Sequence, residues 1–386
     1  MKFLPLSLLL VFLIALSSCG NDDSDNEDNN GNETNDSVFV FTDMTEVFGF
    51  YGQNRYSYCP SILKEEDGTV HMFFCGNPNQ GVMVDNIYHI RINPDGTKST
   101  AKSVLQPGEP GTWDDHHTCD PSVIAGEFSM DEQDYKYAMF FLTNRYGVYY
   151  NEIGVAFSNR PDADEWVKYP GLLVEKTWNG EVDQDLGNGN KSWGVGQPSA
   201  VSLDNKGKVL LTYTIGDISG TRIVWTQMDM SEMNTYSHSA TATMVRSGLM
   251  NLNNSGSDYT CNSDFAIHSD ENIIVMVRPV QPNASDYPSY LNISLEVDYM
   301  KLSDFLASTG VWTPMLRITP TETKFPRNHN AGIERDAYGQ IGSWKEPVIY
   351  FTVSKATPDV NASTGRHAEW TYHIYKGNVS EKQLNK

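Results

Sequence analysis

Short apolar runs separated by polar turns recur along this chain, and their length predicts strands rather than helices. The clearest copy is TCDPSVIAGEF, residues 118–128, followed by YAMFFLTN, residues 137–144. A small polar turn leads into a short apolar strand, and a second polar turn leads into an aromatic strand. Further on, the alternating Ile153, Val155 and Phe157 are typical of a strand with one buried face.

Four other stretches resemble this unit. Aligned on Asp120, they start at Cys59, Gln197, Asp264 and Asn330, at intervals of roughly 61 to 77 residues. Self-similarity at a steady interval indicates a repeat architecture, and each unit consists of strands separated by turns. Five such units predict an all-β protein, a five-bladed β-propeller that spans residues 38–386.

The N-terminus has the pattern of a targeting segment. Lys2, the apolar run of residues 3–16 and the small residues before Cys19 predict a secretory signal over residues 1–18. The tetrapeptide that ends at Cys19 resembles a bacterial lipobox, which implies a lipid on the Cys19 sulfur and anchorage in the outer membrane. Residues 20–37 contain no apolar side chain, so residues 19–37 are predicted to form a disordered acidic tether.

An acidic run directly after a lipidated cysteine resembles the export signal of Bacteroidetes surface lipoproteins. This favours the cell surface, with the periplasmic face and a plain solvated spacer as the alternatives. The net charge of −21 argues against a nucleic acid partner, because such binding needs a concentrated basic surface. A carbohydrate partner is compatible with this charge. The sequence predicts no oligomeric state.

Four cysteines remain once Cys19 is set aside, and an even number in an exported protein permits disulfides. Three of them lie at or just before predicted blade starts, so we expect Cys119 to pair with Cys59 or Cys261. A zinc site is disfavoured because the chain has no CxxC pair.

Three segments outside the repeat also carry predictions. Residues 38–42, VFVFT, are expected to form a strand that closes the ring by joining the last blade. Residues 300–308 predict a short helix with Ser303 or Asp304 as its cap, and residues 368–377 an aromatic strand. Residues 177–196, rich in glycine and acids, predict a long functional loop.

In a propeller the first strand of each blade lines a shared axis, so the residues that start these strands converge. The side chains expected there are polar, which favours a binding site over a packed core. They are Cys59, Asp120, Gln197, Asp264, His329 and Asn330.

Several phrases carry a family resemblance: CDPSVI with YAMFF, NEIGVAFS with EWVKY, and later QPSAV and NHNAGI. They resemble the five-bladed propeller glycoside hydrolases, the family 43-like group of arabinanases, xylosidases and fructosidases. In that pattern the first blade supplies an aspartate base, the second an aspartate that tunes pKa and position, and the third a glutamate acid. The second role falls on Asp120, whereas the other two positions hold Cys59 and Gln197.

Replacement catalytic groups must therefore come from elsewhere in the funnel. Asp264 is the candidate base, and a turn aspartate is its alternative reading. His329 is the candidate acid, because imidazole titrates near neutral pH. NHN also resembles the family's GHN motif, whose histidine lies near a central calcium, so the resemblance implies a structural calcium in the channel with His329 nearby. Hydrolysis itself requires no cofactor.

Other side chains are candidates for substrate binding. Tryptophans offer flat platforms for sugar rings, with packing between blades as the alternative. Arginines could hold an acidic sugar, although Arg278 could equally pair with Asp264. The remaining candidates come from GTWDDHHTCDP, residues 111–121, and from the blade starts. The full set is Arg55, Trp113, Asp115, His116, His117, Trp193, Gln197, Arg278 and Asn330.

Three functions compete at this stage. The first is a cell-surface glycoside hydrolase that acts on a polysaccharide or oligosaccharide. The second is a non-catalytic carbohydrate-binding propeller, which Cys59 and Gln197 favour. The third is a polysaccharide lyase, which would need Arg278 or Arg55 to neutralise a uronate.

Overall fold

A computed structural model describes residues 37–148, 150–176, 193–217, 220–280, 291–355 and 367–383. Their strands form five separate antiparallel sheets in chain order around one axis, which confirms the five-bladed β-propeller. The predicted signal peptide, Cys19 and the acidic tether lie outside the described residues, as does most of the loop predicted over 177–196. Within the described ranges, no helix is long and apolar enough to span a membrane.

The first three blades each begin with a strand at the axis. Blade 1 consists of β2 (Tyr56–Lys64), β3 (Val70–Asn77), β4 (Asn86–Ile92) and β5 (Lys102–Leu105). Blade 2 consists of β6 (His117–Met130), β7 (Gln133–Asn144), β8 (Glu152–Ser158) and β9 (Val167–Lys168). Blade 3 consists of β10 (Gly194–Ser202), β11 (Lys208–Asp217), β12 (Gly220–Asp229), β13 (Ser237–His238) and β14 (Ala242–Thr243).

The last two blades complete the ring. Blade 4 consists of β15 (Asp264–His268), β16 (Ile273–Val280), β17 (Ser294–Lys301) and β18 (Thr313–Ile318). Blade 5 consists of β19 (Arg327–Ile333), β20 (Val348–Ser354), β21 (His373–Gln383) and the N-terminal strand β1 (Ser37–Phe48). Because β1 pairs with β21, the two ends of the chain close one sheet, as predicted for residues 38–42.

The core lies between neighbouring blades. One cluster joins Ile124 and Phe140 of blade 2 to Val209 and Tyr213 of blade 3, and similar clusters fill the other gaps. Each sheet therefore buries both faces, and its central strands are buried along their whole length: all eight residues of β3 and of β16 are buried, the polar His71, Asn77 and Arg278 among them.

Three sequence predictions need correction. The predicted helix is shorter, α1 (Leu302–Leu306), and its N-cap is Lys301 rather than Ser303 or Asp304. A second helix, α2 (Pro320–Thr323), was missed although Thr319 and Glu322 form a capping box around it. The aromatic segment 368–377 is not one strand, because residues 368–371 form a 3₁₀ turn before β21.

The cysteine pairing also differs from the prediction. Cys119 forms a disulfide with Cys75, with 5.1 Å between the Cα atoms, and not with Cys59 or Cys261. Cys75 lies near the end of β3, and its neighbour in the sheet is Tyr58 of β2. At this position in the sheet Cys75 lies close to the start of β6, which contains Cys119. The disulfide therefore links blade 1 to blade 2.

Two histidines buried in blade 1 predict a pH-dependent stability. His71 Nδ1 lies 2.9 Å from His89 Nε2, and burial lowers the pKa of His89 to about 3 and also lowers that of His71. Outward from the pair, the carboxylate of Glu65 lies 3.4 Å from His71 Nε2. Since the unfolded chain binds protons at about pH 6.5, stability is complete above that pH and falls as the pH decreases toward 3.

We expect the His89→Gln variant to lose the part of this dependence that His89 contributes. When the pH is lowered from 7 to 4, the unfolding free energy of the wild type should fall by on the order of 3 kcal/mol more than that of the variant. Urea unfolding at a series of pH values measures it. A difference that stays constant over this range would contradict the role assigned to the buried pair.

Candidate active site

A β-bulge in the first strand of a blade positions the side chain that faces the axis. Cys59, Asp120, Gln197 and Asn330 have φ between +44° and +57°, and each lies at a register shift in the first strand of its blade. Positive φ is uncommon outside glycine, and a bulge of this kind redirects a side chain from the sheet face. The blade starts therefore project toward the axis, as the repeat predicted.

The equivalent residue in blade 4 is Asn262 rather than Asp264. Asn262 has a φ of +46° and lies two residues before the start of β15. With Cys59, Asp120 and Gln197 it lines an axial channel of about 20 Å³. The alignment of Asp264 with Asp120 was thus wrong by two residues.

Asp264 occupies a different position in the repeat, where it links two blades. Its counterparts Ser61, Ser122 and Ser199 each accept a hydrogen bond from a backbone N–H of the next blade, at 2.9–3.3 Å. Asp264 does the same, since its Oδ2 accepts from the N–H of Ile333 at 2.8 Å.

The other oxygen of Asp264 is also engaged. Oδ1 accepts from the Ser199 hydroxyl at 2.6 Å and lies 3.4 Å from the Arg335 guanidinium. Both oxygens therefore hold neighbouring blades together, and this structural role replaces the predicted base.

The inter-blade role of Asp264 gives a stability prediction. We expect Asp264→Ala to lower the free energy of unfolding by about 1–3 kcal/mol, because it leaves the Ile333 N–H without its acceptor and removes the carboxylate beside the buried Arg335. Asp264→Ser, which restores the residue found in blades 1 to 3, should lose clearly less. Urea denaturation of both variants measures this, and equal losses would contradict the assignment.

A cavity of about 610 Å³ opens above the axial channel and is the candidate site. Five of the predicted site residues line it: His117, Trp193, Gln197, His329 and Asn330. Aromatic rings supply much of its remaining wall: Tyr56, Tyr58, Tyr259 and Tyr372. An aromatic-lined concave site with a few polar groups suits a sugar ligand.

Two carboxylates on this wall, Asp85 and Glu369, were not predicted. Asp85 precedes β4 and accepts hydrogen bonds from the hydroxyls of Tyr56 at 2.8 Å and Tyr58 at 3.2 Å. Its Oδ2 also lies 3.0 Å from His117 Nδ1. His117 Nδ1 accepts a hydrogen bond from the backbone N–H of Asp85 at 3.0 Å, so the two tyrosine hydroxyls are the donors that orient the carboxylate. A carboxylate has about four acceptor positions, which leaves room for a ligand or water.

Glu369 reaches the cavity from the 3₁₀ turn Ala368–Thr371 of blade 5. Burial raises the pKa of the Tyr56 hydroxyl, and the negative charges of Asp85 and Glu369 raise it further. Both carboxylates are therefore within electrostatic reach of the same phenol. Neither residue lies at a repeat position, so the alignment of blade starts offered no signal for them.

His329 lies in the cavity wall but does not fit the predicted role of acid. It is 2% exposed, and burial lowers its pKa to about 4, although the hydrogen bond with Asn330 opposes the shift. The ring is thus neutral at pH 7. Its Nδ1 lies 2.5 Å from the Asn330 carbonyl oxygen, so Nδ1 carries the proton and Nε2, which has no hydrogen-bond partner, is an acceptor.

Asp120 lies in the channel below the cavity. Its Oδ1 accepts a hydrogen bond from the Cys59 thiol at 2.8 Å, and burial raises its pKa to about 6. Asp120 also lies near Tyr58, because its charge contributes to the raised pKa of that phenol after burial and Asp85. A role in tuning the site through Tyr58 stays a prediction.

The channel does not fit the calcium ion that the family resemblance implied. Calcium takes six to eight oxygen ligands. Here the wall includes the Cys59 thiol, Oδ1 of Asp120 is bonded to that thiol, and both oxygens of Asp264 are engaged by protein donors. These contacts therefore give His329 no metal ion to accompany in the channel.

Four predicted binding residues lie away from the cavity. Trp113 packs against Phe141 in the core between blades 1 and 2. Asp115 accepts from the backbone of Gly111 and Tyr146 in its own loop. The contacts of Trp113 and Asp115 are structural. The described lining of the cavity does not include these two residues, nor His116 and Arg55.

Arg278 is also misplaced by the prediction. It is 0% exposed and bonds to Asp258, Glu296 and Asp298, not to a ligand and not to Asp264. The strand β16 that carries it is buried on both faces, so its charge is neutralised inside blade 4. The described lining of the cavity contains no lysine or arginine.

Comparison with known proteins supports the fold. No family model and no curated protein matches the sequence. Among solved structures, Zg3597, a family 117 glycoside hydrolase produced by the marine bacterium Zobellia galactanivorans, is 11% identical with a TM-score of 0.55, covering 89% of this chain and 90% of its own.

Two further structures are similar to the same extent. An α-L-arabinofuranosidase from Lactobacillus brevis is 10% identical with a TM-score of 0.55, covering 86% of this chain and 92% of its own. A GH62 hydrolase in complex with xylotriose is 9% identical with a TM-score of 0.55, covering 88% of this chain and 97% of its own. The resemblance stated from the sequence is confirmed at the level of fold: this chain has the five-bladed propeller of these glycoside hydrolases.

Proposed function

We propose that the protein is a glycoside hydrolase that cleaves a polysaccharide or oligosaccharide in the cavity at the propeller mouth. The observation that carries this proposal is the presence of two carboxylates, Asp85 and Glu369, on one aromatic wall. Glycoside hydrolysis needs one group to protonate the leaving oxygen and one carboxylate to activate water or attack the sugar. The similar solved structures support the proposal through their fold.

In this proposal Asp85 is the base or nucleophile. Its hydrogen bonds from Tyr56 and Tyr58 hold the carboxylate in one orientation, which lowers the cost of positioning it for reaction. Glu369 is the acid that protonates the leaving oxygen. The pair takes over the roles that the family pattern assigns to the positions of Cys59 and Gln197.

Other side chains would bind the sugar without reacting. Trp193 offers an apolar face in the cavity wall. Nε2 of His329 has almost no accessible surface, so this ring supports the cavity wall and does not bond to the sugar.

A carbohydrate-binding propeller without catalysis is the second candidate. It is favoured by Cys59 and Gln197, which cannot serve as the carboxylic base and acid of the family pattern. A lyase is disfavoured, because Arg278 is buried in an ion cluster and Arg55 lies outside the described cavity lining.

The deciding experiment exposes the purified protein to a panel of neutral and acidic plant and algal glycans. Release of reducing ends is measured beside calorimetric binding and ultraviolet absorbance. Reducing ends without new absorbance support the hydrolase. Binding without release supports the binding propeller, and products that absorb through a new double bond identify a lyase.

The place of action stays a proposal derived from the sequence. Cys19 would carry the lipid, and residues 19–37 would tether the propeller to the outer membrane, at the cell surface. Globomycin, an inhibitor of lipoprotein signal cleavage, should retain the longer precursor in cells. Unchanged processing would contradict the lipoprotein assignment.

A further inference from the structure

Three sulfur atoms and one carboxylate meet in the axial channel below the cavity. The Cys59 thiol lies outside the disulfide, and it donates a hydrogen bond to Asp120 Oδ1 at 2.8 Å. Cys119 Sγ, in the disulfide with Cys75, lies 3.3 Å from the same oxygen. The sulfurs of Cys59 and Cys75 and a carboxylate oxygen of Asp120 all lie within 4.8 Å of one another.

A thiol so close to a disulfide is a potential nucleophile toward it, because exchange proceeds by attack of a thiolate on a disulfide sulfur. We propose that Cys59 exchanges with the Cys75–Cys119 disulfide, so that the protein has two disulfide isomers, with Asp120 carrying the proton between the sulfurs. The proposal does not depend on the glycosidase function.

The step balances without any other reagent. Asp120 Oδ1 accepts the proton of the Cys59 thiol while the Cys59 sulfur forms a bond to Cys75 Sγ. The Cys75–Cys119 bond breaks, and its electron pair stays on Cys119 Sγ. That thiolate takes the proton back from Asp120, which lies 3.3 Å away. One thiol and one disulfide are present before and after, so nothing is oxidised or reduced overall.

The surroundings make a local base necessary. Burial raises the pKa of the Cys59 thiol, and the negative charge of Asp120 raises it further, so the thiolate does not accumulate at neutral pH. Burial also raises the pKa of Asp120 to about 6. The higher pKa makes this carboxylate a stronger proton acceptor for the thiol. Exchange therefore requires the hydrogen bond that the structure shows.

The exchange would change the floor of the cavity. Cys119 Sγ lies 3.0 Å from the Tyr58 hydroxyl, and that hydroxyl bonds to Asp85 at 3.2 Å. In the Cys59–Cys75 isomer Cys119 becomes a thiol beside Tyr58, and Cys59 leaves its bonds with Asp120 and Asn330. The two isomers thus present different hydrogen bonds to the cavity.

Peptide mapping of the purified protein tests the exchange. The protein is held at pH 8 without reductant, and samples are quenched in acid. Free thiols are alkylated with N-ethylmaleimide under denaturing conditions, and the disulfide-linked peptides are identified by mass spectrometry. We expect a Cys59–Cys75 peptide to appear together with alkylated Cys119. Asp120→Asn should slow its appearance at least about tenfold, since general base catalysis contributes that much or more.

A matched control and a second variant complete the design. Cys261→Ser removes the other cysteine of the described residues that lies outside the disulfide, and it should leave the rate unchanged. Cys119→Ser, oxidised with glutathione disulfide, should form the Cys59–Cys75 bond directly, even where the wild-type equilibrium favours one isomer. Alkylated Cys59 in both the wild type and Cys119→Ser would overturn the proposal. An unchanged rate in Asp120→Asn would overturn the role of the carboxylate.

Discussion

Replacing Asp85 by Asn is expected to lower kcat for the cleaved glycan by about 10²–10⁴-fold, while the dissociation constant changes less than about tenfold. The amide keeps the size of the side chain and can still accept a hydrogen bond from one of the two tyrosine hydroxyls, while its NH2 group faces the other. It cannot take a proton from water or attack the sugar. The measurement is initial-rate kinetics beside calorimetric titration with the same glycan.

Asp115→Asn is the matched control for this result. Asp115 is another aspartate, from the GTWDDHHTCDP segment, but its carboxylate accepts hydrogen bonds from the backbone of Gly111 and Tyr146 and does not line the described cavity. It should change kcat by less than about twofold, as expected for a group that does not touch substrate. Equal losses in both variants would indicate a structural effect and remove Asp85 from the mechanism.

Glu369→Gln distinguishes the two carboxylates from each other. If Glu369 protonates the leaving oxygen, its loss should matter less for an aryl glycoside with an acidic phenol as leaving group, which departs without a proton. The loss in Asp85→Asn should be similar for both kinds of substrate. A Glu369→Gln deficit that does not shrink with the activated substrate would contradict the acid role.

The fold was predictable because every repeat shows the same short strand lengths and the same kinds of turn residue. The blade starts at Cys59, Asp120, Gln197 and Asn330 all hold a positive φ at a bulge. In three of them a proline follows, which made the copies easy to align. Blade 4 has Ser263 after its bulge residue instead, and the match was made on an aspartate. That choice moved the register by two residues and gave Asp264 a role it does not have.

The site was less predictable for a physical reason. A repeat alignment identifies residues that share a position in every blade, and those residues line the narrow axial channel. Asp85 and Glu369 come from a turn before β4 and a short 3₁₀ turn, which are individual to their blades. Conversely, Arg278 was assigned to an acidic sugar or to Asp264, whereas three buried acids in blade 4, distant from it in sequence, neutralise it.

Arg278→Met is expected to destabilise the fold more than any other substitution considered, by about 3–5 kcal/mol. The guanidinium donates to Asp258 at 2.6 Å and Asp298 at 3.0 Å, and it also pairs with Glu296. Methionine fills much of the volume, but it removes the guanidinium from three buried carboxylates, of which Glu296 keeps an ion pair with Arg317 at 2.7 Å. Urea unfolding at pH 7 measures the loss.

The pH dependence of this loss identifies its cause. Burial already raises the pKa of Asp298 against the opposing charge of Arg278, so removal of the arginine raises it further. A group whose folded pKa is raised contributes stability at low pH, so the deficit of Arg278→Met should narrow as the pH falls toward about 7, where Asp298 of the wild type takes up its own proton. Arg317→Met, a change at a partly exposed arginine that bonds to Glu296 alone among these acids, should cost about 1 kcal/mol. A deficit in Arg278→Met that is equally small, or independent of pH, would show that packing rather than charge neutralisation holds blade 4 together.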